Sequence, residues 1–183
     1  MGCNKKNSET NTLNEAYANI TLKELNNNKI QLSKALNNRQ SILIFYRGGW
    51  CPYCNKHLKD LKNIEKDLQD LGYQIIAISP EKASELAKTK DGLSLPYTLL
   101  SDSQLNAAKH FDLAFTVDSE TLKKYSKYGI DLEKSSGEKH HGLPVPSVLI
   151  ISKKGEIVFK HSDKNYKKRL SSKEILEVAK NNI

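Results

Sequence analysis

The hydrophobic positions of the chain form short apolar runs that alternate with amphipathic stretches. Two runs are continuous, SILIFY at residues 41–46 and YQIIAIS at residues 73–79. Both are short and rich in β-branched and aromatic residues, which is typical of strands buried on both faces of a sheet. Between them leucine and isoleucine recur every three or four positions, with Pro52 before this stretch and Gly72 after it. The spacing predicts one long amphipathic helix that begins at Pro52 and ends at Gly72.

The rest of the pattern continues this alternation. Apolar positions around the turn-prone segment 26–28 predict a hairpin or a small helix near residues 22–36. The further predicted elements are a helix near 82–90, a strand at 97–100, a helix near 103–111, a hairpin formed by 143–151 and GEIVFKH, and a last helix capped by Ser171 and Glu174. Alternating strands and helices predict an α/β fold class, with a mixed central sheet between layers of helices. The length of 183 residues suits a single domain.

The first twenty residues are polar and show no such period. They predict a flexible tail or tether at residues 1–20, followed by one folded domain at residues 21–183. Lys6 occupies the position at which an N-myristoyl signal needs Ser or Thr. Gly2-Cys3 resembles the mature start of a bacterial lipoprotein. We therefore expect anchoring in the cell envelope through a lipidated Cys3 if a signal peptide has been removed, and a cytoplasmic protein without a membrane partner if the chain is complete.

The distribution of charge along the chain indicates which classes of partner to expect. The formal net charge of +8 comes from 29 basic and 21 acidic residues, and lysine supplies most of the basic ones. The lysines are spread over every segment, whereas nucleic-acid readers concentrate basic side chains, often with stacking aromatics. We therefore expect no nucleic-acid partner. The densest basic cluster, residues 164–169, would either attract an anionic partner or simply be solvated.

The cysteine content argues against both a disulfide scaffold and a zinc site. The chain has three cysteines, Cys3, Cys51 and Cys54, which are too few for a framework of several disulfides. Structural zinc takes about four ligands, and no second CxxC or HxxxH pair accompanies Cys51 and Cys54. We predict neither a bound metal nor a bound cofactor.

The segment Cys51-Pro52-Tyr53-Cys54 stands where a buried strand passes to a helix, directly after Gly48-Gly49. A cysteine at a helix N-terminus has its thiolate stabilised by the helix dipole and by unpaired backbone N–H groups. Cys54 follows one helical turn later, so the two sulfurs share one face and one can attack while the other resolves. The pattern favours a reversible dithiol/disulfide pair. The alternative is two cysteines that merely pack in a core.

Several segments together resemble a known family. WCPYC at residues 50–54 resembles the active-site motif of thioredoxin-fold proteins. The longer stretches FYRGGWCPYCN, AISPE, LPYTLLSD and LPVPSVLII are similar to the peroxiredoxin-like branch of the alkyl hydroperoxide reductase and thiol-specific antioxidant family. The resemblance covers roughly residues 21–183. It implies a thioredoxin-like three-layer α/β/α sandwich, and a thiol-dependent antioxidant enzyme that reduces hydroperoxides and is restored by an external thiol reductant of the thioredoxin or glutathione kind.

The resemblance implies two different assignments of the cysteines. The peroxiredoxin pattern PxxxTxxC makes Cys54 the peroxidatic residue, with Arg47 and Cys51 in place of its Pro and Thr. The thioredoxin alignment makes Cys51 the nucleophile and Cys54 the resolving residue. In either case Arg47 would lower a thiolate pKa and donate hydrogen bonds to a peroxide oxygen, or it would be a solvated loop charge.

Two further residues are implied as substrate-binding. Trp50 would cover the disulfide or contact a partner, although a tryptophan in this place also suits simple packing. Pro146 falls where thioredoxin-fold proteins carry a cis-proline that faces the cysteine pair, and Pro144 competes with it for that place. Both prolines would otherwise only shape a turn before an edge strand. Residues 114–142 form a long insert, which would be a lid beside the cysteines or decoration.

Three functional hypotheses follow from these observations. The first is a thiol-dependent enzyme that cycles the Cys51–Cys54 pair while it reduces hydroperoxides. The second is a thioredoxin- or glutaredoxin-like oxidoreductase that exchanges disulfides with partner proteins and has no peroxidase activity. The third is a non-catalytic thioredoxin-fold module that holds a partner with Trp50 and the Pro146 loop.

Overall fold

The computed structural model describes residues 16–182. Its strands are β1 (Thr21–Lys23), β2 (Lys29–Gln31), β3 (Gln40–Phe45), β4 (Tyr73–Ser79), β5 (Thr98–Ser101), β6 (Ala114–Thr116), β7 (Gly142–Pro144), β8 (Ser147–Ile151) and β9 (Ile157–Ser162). Its helices are α1 (Leu32–Leu36), α2 (Pro52–Lys62), α3 (Glu65–Asp70), α4 (Ala83–Leu93), α5 (Asn106–His110), α6 (Ser119–Lys127), α7 (Leu132–Ser136) and α8 (Ser172–Lys180).

Seven strands form one mixed sheet in the order β2-β1-β5-β4-β3-β8-β9. The central strands β3, β4 and β5 are parallel, while β8 runs antiparallel to β3 and β9 antiparallel to β8. The two continuous apolar runs of the sequence are therefore neighbours at the centre of the sheet, as predicted. Their side chains alternate between the two faces because successive Cβ atoms of a strand point in opposite directions.

Helices cover both faces of this sheet. Ile42 and Ile44 of β3 pack in one core with side chains of α2, α3, α4 and α8. Leu43 and Phe45 of the same strand pack in a second core with side chains of α1 and α5. The predicted α/β class with a three-layer α/β/α arrangement and a mixed sheet is confirmed.

The predicted long helix is two helices. Asn63 and Ile64 lie between α2 and α3, and their backbone N–H groups donate to Asp60 and Leu61, three residues back rather than four. The prediction of a single helix was wrong here, because the apolar period reports which face is buried and not whether the hydrogen-bond ladder continues. The predicted stop at Gly72 is confirmed by its left-handed φ of 87°.

Two other boundaries differ from the predictions. Tyr17 and Ile20 are buried in the second core, so these two residues belong to the folded domain rather than to the predicted tether. Residues 1–15, with Cys3, lie outside the described residues. The predicted strand at 143–151 is divided, because β7 pairs with β6 in a separate two-stranded sheet and only β8 joins the main one.

The peptide bonds of residues 16–182 are all trans. The cis bond that the resemblance implied at Pro146, with Pro144 as its competitor, is therefore not present. Between β7 and β8, the Val145 N–H donates to the Leu113 carbonyl over 2.8 Å. No helix among the described residues is long and apolar enough to cross a membrane.

The packing of α2 on the sheet should contribute strongly to stability, since it fixes the helix that carries the cysteines. Leu61 is fully buried in the first core. We expect Leu61→Ala to lower the free energy of unfolding by about 2–5 kcal/mol, because it removes apolar contacts and leaves a cavity. Urea denaturation measures this value. Lys59→Ala, on the exposed face of the same helix, should change the free energy of unfolding by less than about 0.5 kcal/mol. Equal losses in both variants would contradict the conclusion that the buried face of α2 stabilises the fold.

Candidate active site

Cys51 is the N-cap of α2, at the end of the loop that follows β3. Its extended backbone and Pro52 in the first helical position start the helix, and its carbonyl accepts from the Asn55 N–H over 3.0 Å. Cys54 lies one turn later, and both residues are buried free thiols. Strand, glycine pair and helix start thus occur where the sequence predicted them, and they bring the two sulfurs together.

The pKa values of the two cysteine thiols are shifted in opposite directions. The pKa of Cys51 is lowered to about 6, chiefly because the Cys54 S–H donates a hydrogen bond to the Cys51 sulfur. Burial of Cys51 opposes this shift, whereas the Cys54 backbone N–H and the charges of Arg47 and Arg169 add to it. The pKa of Cys54 is raised well above its ordinary value, first because Cys54 is the donor of that bond and then because it is buried. At neutral pH Cys51 is therefore the thiolate and Cys54 the thiol.

Arg47 is buried, so the alternative of a solvated loop charge does not hold. Its guanidinium carbon lies 4.1 Å from the ring centre of Tyr166, 4.8 Å from that of Trp50 and 5.5 Å from that of Tyr125. One of its N–H groups donates to the Tyr125 hydroxyl. Among the ion pairs of the described residues none involves Arg47. Aromatic faces hold the cation through their quadrupoles, and its charge is left to act on the Cys51 thiolate.

Arg169 is a second cation at the cysteine pair, and no motif in the sequence indicates this role. Its Nη2 donates to the Cys54 sulfur over 3.6 Å, and its charge lowers the pKa of both thiols. It comes from the segment between β9 and α8, which the sequence showed only as part of a basic cluster. The nearby His57 is buried, and burial followed by the Arg169 charge lowers its pKa to about 4. His57 is thus neutral at neutral pH.

A groove of about 300 Å³ opens over Cys51. Aromatic side chains dominate its wall, and its lining includes Arg47, Trp50, Cys51, Tyr53, Lys124, Tyr125, Tyr128 and Tyr166. Tyr125 and Lys124 belong to α6, so the 114–142 insert forms one side of the groove rather than distant decoration. Trp50 is part of the wall, and its predicted role in substrate binding stays a prediction. Pro146 is absent from this lining and is buried between β7 and β8.

Glu81 connects the cysteine loop to the insert. Its carboxylate accepts from the Gly49 N–H over 2.8 Å and from the Ser135 hydroxyl over 3.2 Å. Burial raises the pKa of this carboxyl to about 7. The sequence contained Glu81 within a family-like segment but gave no sign of this contact. Among residues 16–182 no three His, Cys, Asp or Glu side chains are arranged as metal ligands.

Comparison with known proteins matches residues 13–160 to the profile of the AhpC/TSA family. The chain belongs to this family. The AhpC/TSA family consists of thiol-dependent enzymes that reduce hydroperoxides, so the predicted recognition and the predicted class of thiol-dependent oxidoreductase are confirmed. The hypothesis of a non-catalytic module is not supported. The match ends before Tyr166 and Arg169, which therefore come from outside the segment that defines the family.

Individual relatives agree with this assignment. The chain is 28% identical to a provisionally named peroxiredoxin of Mycobacterium tuberculosis, Rv2521, over 76% of this chain and 77% of the relative. It is 25% identical to peroxiredoxin Bcp of Bacillus subtilis over 64% of each chain. Its fold is similar to that of peroxiredoxin Q of Xanthomonas campestris, with a TM-score of 0.69, 16% identity and coverage of 91% and 93% of the two chains.

The buried carboxyl of Glu81 predicts a pH-dependent stability. A carboxyl whose pKa rises from 4.5 to about 7 on folding holds its proton more tightly in the folded state, so its contribution to stability falls as the pH rises through that window. We expect wild type to lose about 2–3 kcal/mol relative to Glu81→Gln between pH 4.5 and pH 7. Denaturant titrations across this range measure the difference. Glu177→Gln, which removes an exposed carboxylate from α8, is the control, and a pH-independent difference between wild type and Glu81→Gln would contradict the assignment of Glu81.

The position of Arg169 predicts that it stabilises the thiolate of the cysteine pair. We expect Arg169→Gln to raise the pKa of the Cys51 thiolate by roughly half a unit to one unit, because a nearby positive charge is lost. The pH dependence of thiolate ultraviolet absorbance measures this pKa. Lys167→Gln, which removes an exposed charge from the same segment, should have a smaller effect, and equal shifts would mean that only the net charge matters.

Proposed function

We propose that Cys51 is the attacking thiolate of a hydroperoxide reductase and that Cys54 resolves its oxidised form. The observation that carries this proposal is that Cys51, at the N-cap of α2, lines the groove while Cys54 does not. The lowered pKa of Cys51 and the raised pKa of Cys54 agree with it. The cysteine with the lower pKa is thus the one that borders the groove. This choice favours the thioredoxin-like assignment of the pair over the one that PxxxTxxC implies.

In the first step the Cys51 thiolate attacks one peroxide oxygen. An S–O bond forms, the O–O bond breaks, and the alkoxide that leaves takes up a proton to become an alcohol. Cys51 is oxidised to a sulfenic acid and the peroxide is reduced. Arg47 supports this step because its charge lowers the pKa of Cys51 and because a guanidinium has N–H donors beyond the one that Tyr125 accepts.

In the second step the Cys54 sulfur attacks the Cys51 sulfur. An S–S bond forms, the S–O bond breaks, and hydroxide leaves and takes the Cys54 proton as water. Arg169 lies beside Cys54 and would favour its thiolate once the negative charge of Cys51 is gone. An external dithiol then restores the pair, so the net reaction converts one hydroperoxide and one dithiol into an alcohol, water and a disulfide.

The second candidate function is disulfide exchange without peroxidase activity. The same low-pKa cysteine at a helix N-terminus, one turn before a buried partner thiol, suits attack on a protein disulfide as well as on a peroxide. Both functions use Cys51 first, so they differ in substrate and not in the residue that attacks.

Sulfenic acid trapping separates these possibilities. Reduced wild type, Cys51→Ser and Cys54→Ser, each with Cys3→Ser so that only the pair is labelled, are treated with hydrogen peroxide and an organic hydroperoxide. We expect Cys54→Ser to accumulate sulfenic acid on Cys51 much faster than a free thiol, and wild type to form the disulfide instead. Mass spectrometry of the trapped product identifies the residue.

Two outcomes would overturn the proposal. Fast sulfenic acid formation on Cys54 in Cys51→Ser would make Cys54 the peroxidatic residue. If every variant reacts no faster than a free thiol, while wild type reduces an insulin-like disulfide through Cys51, the second candidate function is correct.

A further inference from the structure

Glu81 contacts both segments that form the walls of the groove. One segment is the cysteine loop, residues 47–51, in which the Gly49 N–H donates to the Glu81 carboxylate over 2.8 Å. The other is the 114–142 insert, in which the Ser135 hydroxyl donates to the same carboxylate over 3.2 Å. Glu81 is only 4% exposed, so water does not readily replace these partners. The cysteine loop and the insert are therefore fixed to one another at this side chain.

The backbone of Gly49 links this contact to the helix that carries both cysteines. Its N–H is bound by Glu81, while its carbonyl accepts from the Asn55 side-chain amide over 2.7 Å. Asn55 lies in α2, and its backbone N–H donates to the Cys51 carbonyl over 3.0 Å. The loop has little room at this point, since a Cβ atom at Gly49 would overlap the Thr89 side chain of α4. A displacement of Glu81 would thus move the backbone two residues before Cys51.

The insert contributes to the environment of Arg47. Its residue Tyr125 accepts a hydrogen bond from Arg47, and the Tyr125 ring lies 5.6 Å from that of Trp50. Trp50 also packs against a third, small hydrophobic core that is formed mainly by the insert. Because the charge of Arg47 lowers the pKa of Cys51, the placement of the insert against the cysteine loop affects the reactive sulfur.

We propose that Glu81 is a positioning residue for the reaction of Cys51, which aligns the cysteine loop with the insert and thereby keeps Arg47 beside the sulfur. The proposal rests on the peroxide reaction proposed above. Glu81 does not line the groove, so it acts through Gly49 and Ser135 rather than on the substrate. Its contribution is a pair of hydrogen bonds at a fixed place, since a negative charge near a thiolate opposes its formation.

Two substitutions separate the hydrogen bonds from the charge. In Glu81→Gln the side-chain oxygen can still accept from the Gly49 N–H, and the side-chain amide can donate to the Ser135 oxygen. In Glu81→Ala both contacts are lost. Both variants remove the same negative charge, which interacts unfavourably with Cys51. A difference between the two variants therefore reports the loss of the contacts and not the loss of the charge.

The thiolate pKa of Cys51 is measured by ultraviolet absorbance in both variants, each with Cys3→Ser. We expect this pKa to be higher by roughly half a unit to one unit in Glu81→Ala than in Glu81→Gln, because the loop can move away from Arg47. After addition of hydrogen peroxide, the thiolate absorbance should disappear about tenfold more slowly in Glu81→Ala than in Glu81→Gln.

The fluorescence of Trp50, the only tryptophan of the chain, reports the alignment of the cysteine loop with the insert. Acrylamide should quench this fluorescence more strongly in Glu81→Ala than in Glu81→Gln, because Trp50 then loses part of its packing on Tyr125. This readout requires neither a thiolate nor a peroxide.

Asp102→Ala is the matched control. Asp102 is also a buried carboxylate that follows a strand, and it accepts from the Ala107 and Ala108 N–H groups over 3.1 and 2.8 Å. These contacts stabilise α5, which packs in the core on the other face of the sheet. Asp102→Ala should lower the stability of the protein but leave the Cys51 pKa, the peroxide rate and the quenching of Trp50 as in wild type.

Ser135→Ala is a milder change that tests the proposal even if Glu81→Ala does not fold. It removes one of the two contacts, and we expect it to slow the peroxide reaction about threefold and to increase the quenching of Trp50.

Three outcomes would overturn the proposal: equal Cys51 pKa values in Glu81→Ala and Glu81→Gln, wild-type behaviour of Ser135→Ala, or a shift in Asp102→Ala as large as that in Glu81→Ala. Failure of the proposed function is distinguishable from these outcomes. It would appear as wild type that reacts with peroxide no faster than a free thiol, while the Cys51 pKa and the quenching of Trp50 still test the role of Glu81.

Discussion

The hydrogen bond between the two thiols of the pair is the interaction on which the rest of the site depends. It can form only if both sulfurs lie on one face of α2, with Cys51 at the N-cap and Cys54 in the first turn. That position in turn requires a strand that ends at the glycine pair and a helix packed on the sheet through Leu58 and Leu61. The core therefore contributes to the chemistry by fixing which sulfur is the donor and which is the thiolate.

Two arginines that are far apart in the sequence lie close to the Cys51–Cys54 pair. Arg47 follows β3 directly, whereas Arg169 comes from the segment that leads into α8. Tyr166 lies in the same late segment and packs on Arg47, so one loop contributes both a positive charge at Cys54 and an aromatic cover at Cys51. The last helix fixes this loop through the capping box of Ser171 and Glu174. Part of the candidate active site thus depends on residues beyond the segment that matches the family profile.

The sequence predicted what local pattern and motif can reveal. The central strands, the helix start at Pro52 and the capping box are all properties of neighbouring residues, and so is the CxxC spacing on which the proposed redox role of Cys51 and Cys54 rests. Arg169 and Cys54, by contrast, are 115 positions apart, and Tyr125 is 78 positions from Arg47. Contacts of this kind depend on how the helices and the sheet pack together, and the local spacing of apolar residues gives no information about that packing. The division of the long helix at Ile64 was missed for a similar reason, since its apolar face is continuous across the break.

Aromatic rings enclose Arg47, so the charge balance around its guanidinium depends on whether Cys51 and Cys54 are reduced or oxidised. In the reduced protein the nearby Cys51 thiolate balances this buried cation, and no carboxylate among residues 16–182 does so. Formation of the disulfide removes the negative charge and leaves the guanidinium uncompensated, which is costly in a buried place. In the oxidised protein an anion near Cys51 would therefore be stabilised by Arg47 more strongly than in the reduced protein, where the Cys51 thiolate already supplies the negative charge.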